Sequence, residues 1–430
     1  MRKKSIVKVL SVLLSALMIV ALFGGCSSQN TSASSGTATK GTITMWGWNQ
    51  GDIQKLFTEF NKTYPDLKLN YVAVQQADAF QKLQTTVSAG LTLPDIVPME
   101  IHQRGTMIGL NIWENLDKAP YNYDRNADYS YTLPLVENLK GQVVAVPWDI
   151  SSAALAFNRV VAKNYLGTDD PAQVQNMVGS WDALLSVCQQ VKTKSNGAAF
   201  GFASLGDIQT IADGQNPTPI VKNGKLDLSS IQKTANLMAQ FRDAGVADNI
   251  SPSSTAYNAS YATNKYLFYP CAAWTPQYTI ATNDPNGKGN WGLILPPGGC
   301  FSWGGTANGI PSKAKDKLQA WTFLKWAMMS EAGAEAQRNI LQYNIAFKGF
   351  YNNPQNVTLT NVMFGDQDLG QIFFKTALQN LTPRPISPYD VIIQDTWSLV
   401  VTSMIGSKSF SATDAVNKFE TEMKAQADVS

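Results

Sequence analysis

GQVVAVPWDISSAALAFN, residues 141–158, reads as strand, break, strand. Gln142–Val146 is a short apolar, β-branched run, and Pro147 has no N–H to give to a ladder, so it ends that pairing. Trp148-Asp149-Ile150-Ser151-Ser152 follows, and Ala153–Phe157 is a second run of small apolar residues closed by Asn158. An extended segment this long, with an indole and a carboxylate at its midpoint, can leave one sheet and enter another. Trp148 and Asp149 would then stand in a cleft between two lobes. The same residues also fit a single buried strand with Trp148 in its core.

Upstream, Gly41–Trp48 reads as an opening strand running into the turn Asn49-Gln50-Gly51-Asp52. Ile53, Leu56, Phe57 and Phe60 then recur at helical spacing. Leu67–Val74 is a second strand, Phe80, Leu83 and Val87 mark a second helix, and Leu93–Val97 is a third strand entered through a turn. This alternation implies parallel strands with right-handed crossovers. Ligands of such open sheets gather at the carboxyl ends of strands, here Trp48-Asn49-Gln50 and Met99-Glu100.

Downstream come helices at Ser180–Lys192 and Ser229–Ala244, with both serines as caps, and a short strand at Phe200–Ala203. Tyr266–Trp274 is a second extended apolar segment, broken by Pro270 and Pro276, and Cys271–Thr275 is a place for the chain to cross back. Trp291–Leu295 is a strand and Phe301–Thr306 an aromatic–glycine turn before another strand. Lys317–Met328 is a helix, helical pieces follow around Pro383-Arg384-Pro385 and Pro388, and Ala415, Val416, Phe419 and Met423 share one last helical face.

Only 15% of the 430 residues are charged, below the ~25% of ordinary soluble domains. Residues 1–26 carry four basic side chains (Arg2, Lys3, Lys4, Lys8) and no acidic one, and without them the net charge passes from +2 to −2. Such a balance excludes the basic stripe of a nucleic-acid binder. Val9–Phe23 is an apolar run of fifteen residues, short of the ~20 that span a bilayer. It ends in Leu22-Phe23-Gly24-Gly25-Cys26, which resembles the bacterial lipoprotein signal, although Phe23 stands where Leu is commoner. The resemblance implies lipidation of Cys26, with 27–40 as a flexible tether.

Three further cysteines remain. Cys188 shares a helical stripe with Trp181, Leu184 and Leu185 and reads as a small core hydrophobe, while Cys271 and Cys300 are open to pairing. No Cys–His metal spacing, P-loop or dinucleotide fingerprint occurs. His102 is the single histidine, so a histidine-based triad would depend on it alone.

ITMWGWN (43–49), AGLTLPDIV (89–97), GQVVAVPWDISSAALAFN (141–158), SWDALLSVCQQVK (180–192) and the segment from WGGTANGIPSK to SEAGAEAQ (303–337) occur in an order that resembles the extracellular sugar-binding proteins of bacterial ABC transporters. The resemblance runs through nearly all of residues 41–430. It implies an α/β, two-lobed, periplasmic-binding-protein-like fold with three hinge crossings. The lobes would be 41–150 plus 272–329, and 151–271 plus 330–430. It also implies a sugar ligand, which the five loop tryptophans Trp46, Trp48, Trp148, Trp274 and Trp303, more than one ring needs, extend to an oligosaccharide. ABC permease subunits as partners, a monomer held to the cell membrane by its lipid, no cofactor and no catalysis are implied with it.

A sugar offers a ring face of C–H groups and a perimeter of hydroxyls, so its binder needs aromatic planes and hydrogen-bonding edges. The loop tryptophans Trp46, Trp48, Trp148, Trp274 and Trp303 are the candidate planes, with Gly304 and Gly305 leaving a ring open and backbone N–H groups reachable. Asn49, Gln50, Glu100, Asp149 and Arg384 are the candidate edge, with Gln76, Asp78 and Tyr343 behind them. Asp95 reads as structural, serving backbone N–H groups at the turn after Pro94. A polyamine or peptide receptor is the alternative binding class, and a glycosidase using Glu100 and Asp149 the alternative enzyme.

Overall fold

The computed structural model describes residues 37–252, 254–342, 345–376 and 381–430. Cys26, the apolar leader, most of the tether and Tyr343 lie outside the described residues.

β1 (Lys40–Gly47) and β2 (Asp66–Ala73) pair in parallel across α1 (Gln50–Asn61), whose buried stripe is Ile53, Leu56, Phe57 and Phe60. After α2 (Ala79–Ser88), Ile96 bridges Met45 in parallel and β3 (Val97–Glu100) begins. Asp95 is structural, but its partners are remote. It accepts the N–H groups of Thr44 and Asp316, both at 2.8 Å. α3 (Ile101–Gly109) follows β3 directly, and after a long irregular stretch β4 (Ala145–Pro147) enters a three-stranded sheet.

The chain then changes sheet. β5 (Ser152–Asn158) lies in a five-stranded sheet, so Gly141–Asn158 does leave one sheet for another, and Trp148 at the passage is nevertheless buried. β5 has neighbours on both edges and protein on both faces. Ala153, Leu155 and Phe157 enter one core while Ala154 and Ala156 enter a second, which is why its sequence is continuously apolar rather than alternating.

α4 (Arg159–Leu166), α5 (Pro171–Met177) and α6 (Trp181–Lys194) lead to β6 (Phe200–Phe202), with Ser180 capping α6 through the Ala183 N–H. α7 (Leu205–Gly214), the short hairpin β7 (Val221–Lys222) and β8 (Lys225–Leu226), α8 (Ser229–Asp243) and α9 (Thr255–Ser260) follow. Ser229 is not a cap: it is the first helical residue, and the Asp227 carboxylate accepts its N–H and hydroxyl instead.

β9 (Tyr266–Ala272) runs between β5 and β6 with Pro270 inside it. β6 pairs only as far as Phe268, so the missing N–H of Pro270 costs no ladder bond on that side. The expected return at Cys271–Thr275 does not occur. After α10 (Ala281–Asn283), β10 (Trp291–Ile294) goes back beside β5, because Trp291 and Ile280 are needed in that sheet's own core. The passage comes later, between β11 (Phe301–Ser302), which pairs with β5, and β12 (Thr306–Gly309), which inserts between β3 and β4.

α11 (Lys317–Met329) and α12 (Glu331–Leu341) pack on the first core, and α13 (Asp390–Gly406) and α14 (Ala412–Gln426) on the core of the five-stranded sheet. Ala415, Val416, Phe419 and Met423 are the buried face of α14. Cys188, Cys271 and Cys300 are all free thiols, the first two buried, so Cys271 and Cys300 do not pair. No described helix is long and apolar enough to cross a membrane.

Candidate functional site

A cleft of about 850 Å³ opens between the two main cores. One wall is Gln75–Ala77 and Glu100–Gln103; the other is the exposed side of α7, the start of α13 and Trp303-Gly304. Of the residues picked from sequence, Glu100, Trp303, Gly304, Arg384 and Gln76 line it.

Trp303 follows β11 and packs against Trp274, with ring centroids 5.1 Å apart and the ring planes tilted by 50°. Gly304 has φ +74°, and a side chain there would stand 3.2 Å from the Trp274 Nε1, so glycine lets the pair close up. Trp274 lies behind Trp303 and does not line the cleft.

On the opposite wall Glu100 caps α3. Its carboxylate accepts the His102 N–H at 2.8 Å and lies 3.1 Å from His102 Nδ1. Burial raises the Glu100 pKa, but the His102 ring and N–H together with Arg104 overcome it and leave the carboxyl below its ordinary value. Burial lowers His102, and Glu100 with Asp390 more than restores it, so the imidazole titrates above its ordinary value.

Arg104 is buried behind this pair. Its NH2 donates to the Gly305 carbonyl at 2.6 Å and its Nε to the Met99 carbonyl at 3.2 Å. Burial brings its pKa down to about 10 despite Glu100, Asp149 and Asp390. Asp149 sits in a small crevice with Arg104, Gly305 and Ser151, beside the cleft rather than in it. Burial pushes its carboxyl up to about 6, against the opposing Thr306 N–H and Arg104. A glycosidase would have Glu100 and Asp149 facing one substrate, and they line different cavities.

The remaining picks fall elsewhere. Trp46 is 6% exposed and packs in the first core under Lys82. It occupies a position of β1 between Met45 and Gly47, and all three are buried there. Trp48, Asn49 and Trp148 line a separate small pocket, and Asn49 also donates to Asp52 at the start of α1. Gln50 is an exposed first residue of α1, Asp78 lies outside the cleft lining, and Gly305 faces Ser151.

Sequence reading missed His102 as a cleft residue, along with Asp207, Asp213, Asp390 and Trp397. Asp213 accepts from Trp397 Nε1 at 2.6 Å, from Thr234 and from Gln209. Burial pushes Asp207 up to about 7, against the Tyr257 hydroxyl and the Ser204 N–H. Asp390 is likewise raised to about 7 and accepts the Gly105 N–H from α3. Each comes from a helix that only the tertiary fold brings to the cleft, so no local pattern marked it. Among the described residues no cluster fit for a metal ion is found.

Residues 55–389 match the family model described as bacterial extracellular solute-binding protein. The chain is 29% identical over 167 residues to the lactose-binding protein of Rhizobium radiobacter, covering 37% of each chain. It is 25% identical over 224 residues to the arabinooligosaccharide-binding protein of Bacillus subtilis, covering 50% of this chain and 49% of that one. The matched stretch thus spans about a third to a half of these curated relatives. The galacto-N-biose-/lacto-N-biose I-binding protein of the ABC transporter from Bifidobacterium longum, solved with lacto-N-biose, superposes with a TM-score of 0.73. It is 17% identical, and the match covers 91% of this chain and all of that one. With a two-lobed α/β fold and a family match over most of its length, the chain belongs to the bacterial extracellular solute-binding proteins.

Proposed function

We propose that this chain is the receptor of an ABC importer that captures an oligosaccharide in the large cleft and delivers it to the membrane permease. The observation that carries this reading is the cleft lining. An indole backed by a second indole shares the cleft with five glutamine amides, Gln75, Gln76 and Gln103 on the opposite wall and Gln209 and Gln394 on its own. Such a surface offers a plane for sugar C–H groups and neutral partners for hydroxyls. Arg384, Glu100 and His102 add charge-assisted bonds at the edge. The sugars named for the relatives support the same class.

The lobes proposed from sequence keep their cores but take new limits: about 41–148 plus 306–341, and about 152–302 plus 350–430. Three hinge crossings fit this division, at 148–152, at 302–306 and beside Ile345, which bridges Asp149. Ligand contacts to both lobes would shift the population towards closure. Cys26 carries the lipid that holds the monomeric receptor at the outer face of the membrane.

A thermal-shift screen against arabino-, xylo-, malto-, cello- and manno-oligosaccharides, amino acids and polyamines tests the reading. A sugar that raises the melting temperature in a concentration-dependent way supports it. Stabilisation by a diamine or peptide alone overturns it, and release of reducing ends from a bound sugar would make the protein an enzyme.

A further inference from the structure

A second pocket, of about 40 Å³, lies on the face of the three-stranded sheet that Asn308 shares with its cross-strand partner Pro98. Trp48, Asn49, Tyr71, Trp148 and Thr306 are among the residues that line it, and none of its lining side chains is charged. Asn308 is fully buried at the centre of β12, yet neither its Oδ1 nor its Nδ2 has a hydrogen-bond partner. Trp148 is 4% exposed and its Nε1–H is also unpaired. Burying an amide without partners is costly, and a leucine, branched in the same way, would avoid that cost.

The unpaired atoms define what would satisfy them. The indole N–H and the amide NH₂ donate, and the amide oxygen accepts. A carboxylate accepts only and would face the amide oxygen. An ammonium donates only and would leave the indole and amide N–H groups unpaired. A hydroxyl does both. At ~10–15 Å³ for each water-sized group, 40 Å³ holds about three such groups. That is room for a hydroxymethyl arm or two adjacent hydroxyls, not for a ring. Gly47 keeps the pocket's edge open, since a side chain there would stand 2.4 Å from the Tyr71 hydroxyl that caps α1 through the Asn49 N–H.

We propose that this pocket is a recognition site for a pair of neutral hydroxyls on a sugar or small polyol, held by Asn308 and Trp148. It rests on the receptor reading only for the sugar as the source of those hydroxyls.

The test uses the ¹⁵N-labelled full chain, with the Trp148 indole signal assigned by its loss in Trp148→Phe. Glycerol and arabinose, titrated separately, are expected to move that signal saturably, while acetate and ethylammonium leave it in place. Asn308→Leu folds at least as stably as the wild type and weakens the response at least tenfold. Should that variant fail to fold, Trp148→Phe keeps an aromatic ring at that position. The glycerol response of the Asn308 side-chain amide must then weaken at least fivefold. Response to glycerol alone identifies a free polyol, and response to both identifies a sugar arm. A Trp148 signal unmoved by both probes, or moving equally in Asn308→Leu, overturns the proposal even where an oligosaccharide binds in the thermal screen. A glycerol response in a chain that binds no oligosaccharide upholds the pocket and overturns the receptor.

Discussion

The carboxylate of Asp149 accepts the backbone N–H of Thr306 at 2.7 Å, and so fastens the link between β4 and β5 to the link between β11 and β12. The Trp148 backbone N–H donates back to the Thr306 carbonyl at 2.8 Å, and Ser151 Oγ meets Ser302 Oγ at 3.0 Å. Asp149→Asn keeps an acceptor at that point and is expected to unfold within about 1 kcal/mol of the wild type. Asp149→Ala strands the Thr306 N–H and costs about 1–3 kcal/mol, measured by denaturant titration at neutral pH.

Stability should fall as pH rises. Burial lifts Asp128, Asp207 and Asp390 to about 7 and Asp149 to about 6. Between the ordinary carboxylate range and 7 the folded chain therefore binds more protons than the unfolded one, so each of these groups destabilises as it ionises. His102, raised by Glu100, acts in the same direction. Calorimetry should give a higher melting temperature at pH 5 than at pH 8, with a shallower slope in Asp207→Asn. An increase across that interval would contradict the assignment.

Two tryptophans separate ligand binding from folding. Trp303→Ala removes the cleft's indole plane and is expected to lower oligosaccharide affinity at least about tenfold, with little change in stability. Trp46→Ala opens the first core and is expected to cost about 3–5 kcal/mol, with affinity unchanged in the molecules that remain folded. Calorimetric titration beside thermal melts distinguishes them.

Gly105 sits where α3 meets the start of α13. A methyl group there would stand 2.2 Å from the Ser387 carbonyl, and the Gly105 N–H donates to Asp390 at 3.0 Å. Gly105→Ala is expected to cost about 1–3 kcal/mol by overpacking and to loosen this contact. Hydrogen exchange at Gly105 and Val391 should quicken before the rest of α3 and α13.

Thiol titration reports on the buried cysteines and on Cys26. Cys188 and Cys271 are buried and Cys300 is half-buried with its thiol pushed up to about 12, so none should react with Ellman's reagent within minutes at pH 8 in the folded protein. In denaturant, protein from native membranes should show three thiols if Cys26 is lipidated and four if it is not.

The alternation of strands and helices, the Ile53–Phe60 stripe and the Ser180 cap were legible because each is fixed within a few residues of chain. The change of sheet at Trp148 was legible for the same reason: Pro147 ends one ladder locally. The return was misplaced at Cys271–Thr275 because what ends β9 is its partners, not its prolines, and β10's place beside β5 is decided by core residues such as Trp291. Among aromatics the residue type alone does not separate Trp46 from Trp303. One is held under a helix, the other is set at a turn of two glycines, and only packing distinguishes them. Asp207, Asp213 and Asp390 lie on helices whose arrival at the cleft no short stretch encodes.

The placement of β12 has a consequence for synthesis. It is the middle strand of its sheet, yet 157 positions separate Asp149 from Thr306. While the chain emerges from the ribosome, β3 and β4 have no strand to bridge them until the whole five-stranded sheet has been made. The half that begins first is therefore still open when every strand of the second sheet has been made, and high contact order makes that late insertion a slow step. A nascent chain stalled before residue 306 should be protease-sensitive at β3 and β4.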